Sequence, residues 1–388
     1  MKTKTALIAL LVLCGNCAQT QEVIPFHLVG EHIIIKVHIG DHAEALDFIF
    51  DTGASSIVLN ETTAERLGIQ PIEVSSLSGA NGEIAVKTIR GKELHVGGMT
   101  LRDATMYATS VLNIEESLAH RIDGVIGAHL IKKFVTEINY DEAVLIFSNS
   151  EMYEPWPDAY ELDIDATMPL PTTRVSLMLG DEEYDCEFVI DSGSGLPIAV
   201  NSPAVDQYNL IRKLPTLTTE IAGLSEGKSE AHITRIPEIQ LGKYSFKNVI
   251  SLLSQAKSGA TSFVNFEGII GNPILRKFNM TLDYSRNKMY LSENKSFNEP
   301  FRDNWVGFGV KYDFVSGKMI IEEVLVPEKI DDAIKEGVAI RSVDGVEVNF
   351  ENYHSIKTAM YQGGDPLKVV VESEGIFKEI ELERKLFF

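Results

Sequence analysis

The chain has 388 residues, 44% of them apolar and 23% charged, which excludes a disordered polymer, a collagen-like repeat and a disulfide-dense mini-protein. At roughly 150 residues per domain it has room for two or three domains. Its 56 acidic against 35 basic residues give a net charge of −21. That is the wrong sign for a duplex-binding protein, and the excess is spread along the chain as a solubility feature.

Residues 1–18, MKTKTALIALLVLCGNCA, carry Lys2 and Lys4 before an apolar run from Ala6 to Leu13, then small residues. This is the pattern of an export signal, too short for a permanent membrane helix. No later stretch reaches 18 apolar residues. The expectation is a protein of the periplasm or cell envelope. Cys14 and Cys17 stand where a bacterial lipoprotein signal places its lipidated cysteine, although Leu13 and Asn16 precede them in place of a small residue. Lipid attachment and plain cleavage near Ala18 both stand. Cys186 is then without a partner, so no disulfide framework is expected.

Two segments of the chain match each other. Asp47-Phe48-Ile49-Phe50 runs into Asp51-Thr52-Gly53-Ala54-Ser55, and Glu187-Phe188-Val189-Ile190 runs into Asp191-Ser192-Gly193-Ser194-Gly195. Each resumes as an apolar run, IVLN and LPIAVN. Downstream, Asp123-Gly124-Val125-Ile126-Gly127 is answered by Glu267-Gly268-Ile269-Ile270-Gly271. The two aspartates are 140 residues apart and the two last glycines 144. TEINYDEAVLIF and MTLDYSRNKMYL follow, both hairpin-like. Two copies at so long a period predict two similar lobes, not a stacked array. Short Val/Ile/Phe/Thr runs broken by Gly and Asn predict mostly β structure.

A single Asp-(Thr/Ser)-Gly is a common turn. Two of them, each behind an apolar run and each at similar range before a Gly-x-x-Gly element, predict a site. An aspartate ending a buried strand is unfavourable unless paired or hydrogen-bonded. Two such carboxyls face to face cannot both ionise and share a proton. One then serves as base on a water while the other protonates a carbonyl. Glycine lets backbone approach the carboxyl closely, and the Thr52 and Ser192 hydroxyls are placed to bond across to the other lobe.

On these motifs the chain, over about residues 24–293, resembles the retropepsin-like bacterial aspartic peptidases that carry both lobes on one chain. The resemblance implies a mainly β fold of two acid-protease lobes with pseudo-two-fold symmetry, at residues 24–150 and 151–293. It implies hydrolysis of peptide bonds by water activated on a dyad of Asp51 and Asp191, with no covalent intermediate. Thr52, Gly53, Ser192, Gly193 and Ser194 would support the dyad. It also implies a flap hairpin in each lobe, matched here by residues 76–86 with Gly79 and Gly82, and 220–232 with Gly223 and Gly227. Ordinary surface hairpins are the other reading of those segments. Gly195 departs from the Ser or Thr common at its position. Ala54 in one motif faces Ser194 in the other. If the Ser194 hydroxyl donates to Asp191, then Asp191 is the ionised partner and Asp51 holds the proton.

Residues 294–304 are polar, contain a proline and read as a linker. Beyond them, strand patterns fall at 308–312, 318–326, 338–344, 367–372 and 377–383, and helical patterns at 328–336 and 352–361. WVGFGVKY followed by IRSVDGVEV resembles a bacterial PDZ domain, a small α+β module over 305–388. Gly307, Phe308, Gly309 and Val310 would form the loop whose amides receive a peptide's terminal carboxylate. Binding of neighbouring domains is the equal alternative. Gly337 followed by Val338-Ala339 departs from the Gly-Asp common there.

His32, His38 and His42 lie in one strand-like run and are read as solvated strand histidines, not metal ligands. No H-E-x-x-H occurs, and Ser194 lies in G-S-G, not in G-x-S-x-G, so a zinc peptidase and a serine hydrolase elbow at that motif are unsupported. The expectation is an exported bacterial aspartic endopeptidase acting on polypeptides. It needs no metal or cofactor, does not bind nucleic acid, and works as a monomer because one chain carries both copies. A non-catalytic exported protein that holds peptides in the cleft or the PDZ groove is the competing class.

Overall fold

A computed structural model describes residues 21–79, 82–168, 170–222, 228–301 and 306–385. The export-signal segment with Cys14 and Cys17 lies outside the described residues, as do Gly223 and Gly227. The described chain is mainly β.

The first part runs through β1 (Glu22–Val29), β2 (His32–Ile39), β3 (Leu46–Phe50), β4 (Ile57–Asn60) and helix α1 (Glu61–Arg66). Then come β5 (Glu73–Ser78), β6 (Glu83–Val96), β7 (Met99–Thr109), α2 (Leu112–Leu118), β8 (Gly124–Ile126), α3 (Ala128–Ile131), β9 (Val135–Asn139) and β10 (Val144–Ser148). The second part holds β11 (Tyr160–Asp163), β12 (Thr172–Leu179), β13 (Glu182–Asp191), β14 (Ile198–Val200), α4 (Ser202–Gln207) and α5 (Leu210–Lys213). It continues with β15 (Thr216–Ala222), β16 (Lys228–Leu241), β17 (Tyr244–Ser254), β18 (Gly268–Gly271), α6 (Asn272–Leu275), β19 (Phe278–Asp283) and β20 (Lys288–Glu293).

Strands β2-β3-β8-β4-β7-β6-β5 lie side by side in that order, closed by a β2–β6 pairing. Strands β12-β13-β18-β14-β17-β16-β15 lie in the corresponding order, closed by β12–β16. In both, the strand that leads into the Asp motif pairs parallel with the Gly-x-x-Gly strand: β3 with β8, β13 with β18. These strands are buried on both faces, which is why they read as unbroken apolar runs instead of alternating ones. Phe48, Phe50, Phe188 and Phe278 are fully buried in the shared core. Each stabilises the fold by about 1.5–3 kcal/mol through apolar burial.

The two hairpins expected after the glycine motifs form as β9–β10 and β19–β20. They also pair with each other, β9 against β19, so β11-β20-β19-β9-β10-β1 join the first set into one 13-stranded sheet. Tyr140 and Asn279 tie this seam, the Tyr140 amide donating to Asn279 Oδ1 at 2.9 Å. The segment expected as a polar linker is packed down in part. Phe297 and Phe301 lie on the core beside Phe246 and Phe278, because their rings outweigh the polar residues around them.

The last part forms a separate six-stranded sheet with its own core. It comprises β21 (Phe308–Asp313), β22 (Lys318–Val324), β23 (Ala339–Val343), β24 (Val346–Glu347), α7 (Tyr353–Tyr361), β25 (Leu367–Ser373) and β26 (Ile376–Leu382). The strands and α7 fall where the pattern placed them. The helix expected at 328–336 does not form: only a single 3-10 turn, Pro327–Lys329, is present. Ile330 is extended there, and the Asp331 side chain instead accepts the Ala333 amide at 2.8 Å, a local turn that competes with helix. This unit rests on α2 through Lys311 and Glu116, which form an ion pair, and on the loop after α2 through Arg121, stacked 3.7 Å over the Phe314 ring. Among the described residues no helix is long and apolar enough to cross a membrane.

Candidate active site

The site is built where β3 and β13 end. Asp51 closes the first strand and its amide donates to the Ile126 carbonyl of β8 at 2.9 Å. The backbone then turns back on the carboxyl: the Gly53 N–H donates to Asp51 Oδ1 at 2.7 Å. The second copy repeats this, Gly193 N–H donating to Asp191 Oδ1 at 2.9 Å. The amides of Ala54 and Ser194 donate to the main-chain carbonyls of Asp51 and Asp191, at 3.1 and 3.2 Å, and their nearness favours the charged form of each carboxyl.

Each glycine also packs against the opposite carboxyl. A Cβ on Gly53 would lie 2.5 Å from Asp191 Cγ, and one on Gly193 would lie 2.2 Å from Asp51 Cγ. No side chain fits either place, which is the physical reason for glycine in both motifs. The pair is locked from below. Thr52 Oγ1 donates to the Ile190 carbonyl at 2.7 Å and accepts the Ser192 amide at 2.9 Å. Ser192 Oγ donates to the Phe50 carbonyl at 3.1 Å and accepts the Thr52 amide at 3.1 Å. Both hydroxyl side chains are fully buried.

The Gly-x-x-Gly elements hold these turns from the side. A Cβ on Gly127 would overlap the Asp51 carbonyl, and one on Gly271 the Leu196 carbonyl. The acid that opens each element bonds back to its strand: Asp123 accepts the Asp47 amide at 2.8 Å, and Glu267 accepts the Glu187 amide at 2.7 Å. That role was not read from the sequence, although the Asp/Glu match was its signal.

Both aspartates keep a partly exposed face, but the protein around them excludes most water. Burial raises both carboxyls above their ordinary value of 3.8, and Asp191's charge together with a hydrogen bond between the carboxyls pushes Asp51 further up. Among the described residues no cation pairs with either one. The proton therefore belongs to the pair.

The Ser194 hydroxyl does not favour Asp191, contrary to the expectation. It accepts the Leu196 amide at 3.3 Å and points to the Leu196 carbonyl at 3.5 Å. A serine side chain readily finds its own backbone two residues on, and the Asp191 carboxyl is already held by the Gly193 amide.

The first flap candidate is the β5–β6 hairpin. Its tip is closed by Gly79 N–H donating to the Gly82 carbonyl at 2.7 Å. The tip crosses to the other half of the molecule, where the Gly79 carbonyl accepts the Ala260 amide at 2.9 Å. The second is the β15–β16 hairpin, whose Gly223 and Gly227 fall outside the described residues. Thr219 on it bonds Glu323 of β22.

Of Gly307, Phe308, Gly309 and Val310, the side chains of Phe308 and Val310 are buried. The outer edge of β21, where a peptide strand would add, is filled from α7: Tyr361 Oη accepts the Val310 amide at 3.0 Å and donates to the Phe308 carbonyl at 3.2 Å. Tyr353 Oη donates to the Val310 carbonyl at 3.1 Å. Nothing in the helical pattern of 352–361 reveals that its tyrosines reach the strand edge.

His32 is not a solvated histidine. Its ring lies against the main chain of Gly193 and beside Gly195, and burial lowers its pKa to about 4. Among the described residues no three His, Cys, Asp or Glu side chains are grouped to hold a metal ion. Cys186 is free and buried, its thiol pushed up to about 12 by burial.

A family model described as Aspartyl protease matches residues 35–130. The matched span takes in the Asp51 motif and Gly124–Gly127, and ends inside α3. The β architecture around it agrees with that family's fold, and the match points to an aspartic-type peptidase. No curated protein matches the chain.

Proposed function

We propose that the protein is an exported aspartic endopeptidase in which Asp51 and Asp191 form one catalytic dyad. The observation that carries this reading is reciprocal: each carboxyl is backed by the glycine of the other motif, and the two share a hydrogen bond. The matching strand orders of the two halves support reading them as lobes related by a pseudo-two-fold axis through the dyad.

In this reading a water sits between the carboxyls. The ionised one takes a proton from the water as its oxygen attacks the peptide carbonyl carbon. The protonated one gives its proton to the carbonyl oxygen. Collapse of the tetrahedral species breaks the C–N bond while the amide nitrogen takes a proton from the dyad. The Thr52 and Ser192 hydroxyls hold the carboxyls in place so that little rearrangement accompanies the reaction. The β5–β6 hairpin, which already spans the two halves, acts as the flap.

The last unit is read as PDZ-like in strand order, with its edge turned to docking on the body through α2 instead of capturing free peptide ends. The substrate is a polypeptide segment extended enough to lie across the dyad.

The test is cleavage of an unstructured protein by the purified protein at mildly acid pH. Asp51→Asn and Asp191→Asn should each abolish it while leaving the circular dichroism spectrum unchanged. Activity in either variant would remove the dyad assignment.

A further inference from the structure

A cavity of about 890 Å³ lies where the C-terminal unit meets the rest of the molecule. One wall is the outer face of α7. His354, Lys357, Thr358 and Tyr361 line it at helical spacing, while Tyr353, Ile356 and Met360 point into the unit's own core. The opposite wall is the β1–β2 turn with Glu31 and His32, and the loop after Asp191 with Gly195 and Pro197.

The charge here opposes that of the whole molecule. In a chain of net charge −21, the cavity gathers Arg276, Lys277 and Lys357 against two carboxylates. Both carboxylates are engaged by Arg276: Glu31 at 2.8 Å and Glu299 at 3.8 Å. Lys277 is turned to the main chain, donating to the carbonyls of Phe297 and Glu299. Lys357 differs. Its Nζ donates to uncharged oxygens, Ser117 O at 3.1 Å, Val310 O at 3.4 Å and Tyr353 Oη at 3.4 Å. Among the described residues no carboxylate lies within ion-pair reach of it.

In contact the ammonium meets only neutral oxygens, with the Glu322 charge acting from beyond ion-pair distance, so an anion brought against it is favoured. Burial lowers the Lys357 pKa from 10.5 to about 8, so it still carries its charge at neutral pH. Across the cavity, the buried His32 ring is set against the backbone of Val29 and Gly193.

The cavity adjoins the aspartates through a single strand of backbone. A Cβ on Gly195 would touch His32 Cε1 at 3.5 Å, and Gly193, which the His32 ring faces, lies against the Asp51 carboxyl. The second Asp motif thus gives the cavity a wall at Gly195 and meets the dyad at Gly193, two residues away.

Resting on the peptidase reading, we propose that this cavity holds a carboxylate near the end of a bound peptide chain, with Lys357 as its counter-charge and His32 closing the side toward the dyad. A terminal α-carboxylate and an acidic side chain share this chemistry.

The test measures binding to the Asp51→Asn variant, so that hydrolysis plays no part. It uses three peptides of one sequence: a free acid, the amide, and the amide with Glu at the last position. The free acid should bind about tenfold more tightly than the plain amide, as expected for a charge-assisted contact. Lys357→Met should remove the difference, and Lys357→Arg should keep most of it. A tight Glu peptide with a weak free acid assigns the site to side chains, and the reverse assigns it to chain ends. Equal binding of all three overturns the proposal, and that comparison needs no change at Lys357. If the preference is present but the wild-type protein cleaves nothing, the peptidase reading fails and the carboxylate site stands. If the wild type cleaves all three with equal KM, the site fails and the peptidase reading stands.

Discussion

Thr52 and Ser192 exchange main-chain amides: each side-chain oxygen accepts the other's N–H, at 2.9 and 3.1 Å, in a fully buried setting. Each hydroxyl then donates onward to the strand that delivers the other aspartate, at Ile190 and Phe50. Four hydrogen bonds therefore fix the spacing of Asp51 and Asp191 without touching either carboxyl.

Thr52→Val keeps the shape of the side chain and removes its oxygen. The Ser192 amide and the Ile190 carbonyl both lose a partner. The expected loss of stability is about 1–3 kcal/mol, the penalty of leaving a buried polar group unmet. Urea denaturation of the two proteins checks it. On the peptidase reading, activity should fall mainly in kcat, because the carboxyls lose alignment.

The dyad makes stability depend on pH. Both carboxyls have folded-state pKa values above the ordinary 3.8, so the folded protein keeps protons that the unfolded chain has released. Their favourable contribution is complete below about pH 3.8 and is lost as pH rises through the folded-state values. Asp51→Asn removes the charge conflict. It should be more stable than wild type at pH 7, with the difference shrinking as the pH approaches 4. Denaturant midpoints across that range measure it, and a wild type more stable than the variant at pH 7 contradicts it.

Ser194→Ala should leave the acid limb of the pH–rate profile where it is. The hydroxyl serves Leu196, not Asp191. A displaced limb would show that serine reaches the carboxyl during the reaction.

Tyr361→Phe should free the edge of β21. The Val310 amide would lose its acceptor and the Phe308 carbonyl its donor. Hydrogen exchange at Val310 should accelerate by about tenfold or more, and the C-terminal unit should lose about 1–3 kcal/mol. Unchanged protection of that amide would mean that the tyrosine is not its partner in solution.

Much of this was legible in the chain. The Asp motifs, the glycine elements and the two following hairpins repeat in order, and short-range pattern carries them. Gly53 and Gly193 could be named because only glycine lets backbone meet a carboxyl. Ser194 could not be placed, since a hydroxyl's choice between two nearby acceptors leaves no mark on spacing. The helix misread at 328–336 shows apolar periodicity overridden by one Asp331 turn. His32 and Lys357 were hidden for a different reason. They are 325 residues apart in sequence, and each looks ordinary until the C-terminal unit is docked. The filling of the β21 edge left no mark either, because the tyrosines that do it come from a helix whose pattern speaks only for its buried face.

The β9–β19 seam has one more consequence. With both aspartates on one chain and the sheet continuous between them, their meeting is an intramolecular event whose probability does not depend on how dilute the protein is. An enzyme assembled from two separate half-chains disarms itself on dilution. A continuous sheet gives up that safeguard, and in exchange the site stays complete in a single molecule however dilute.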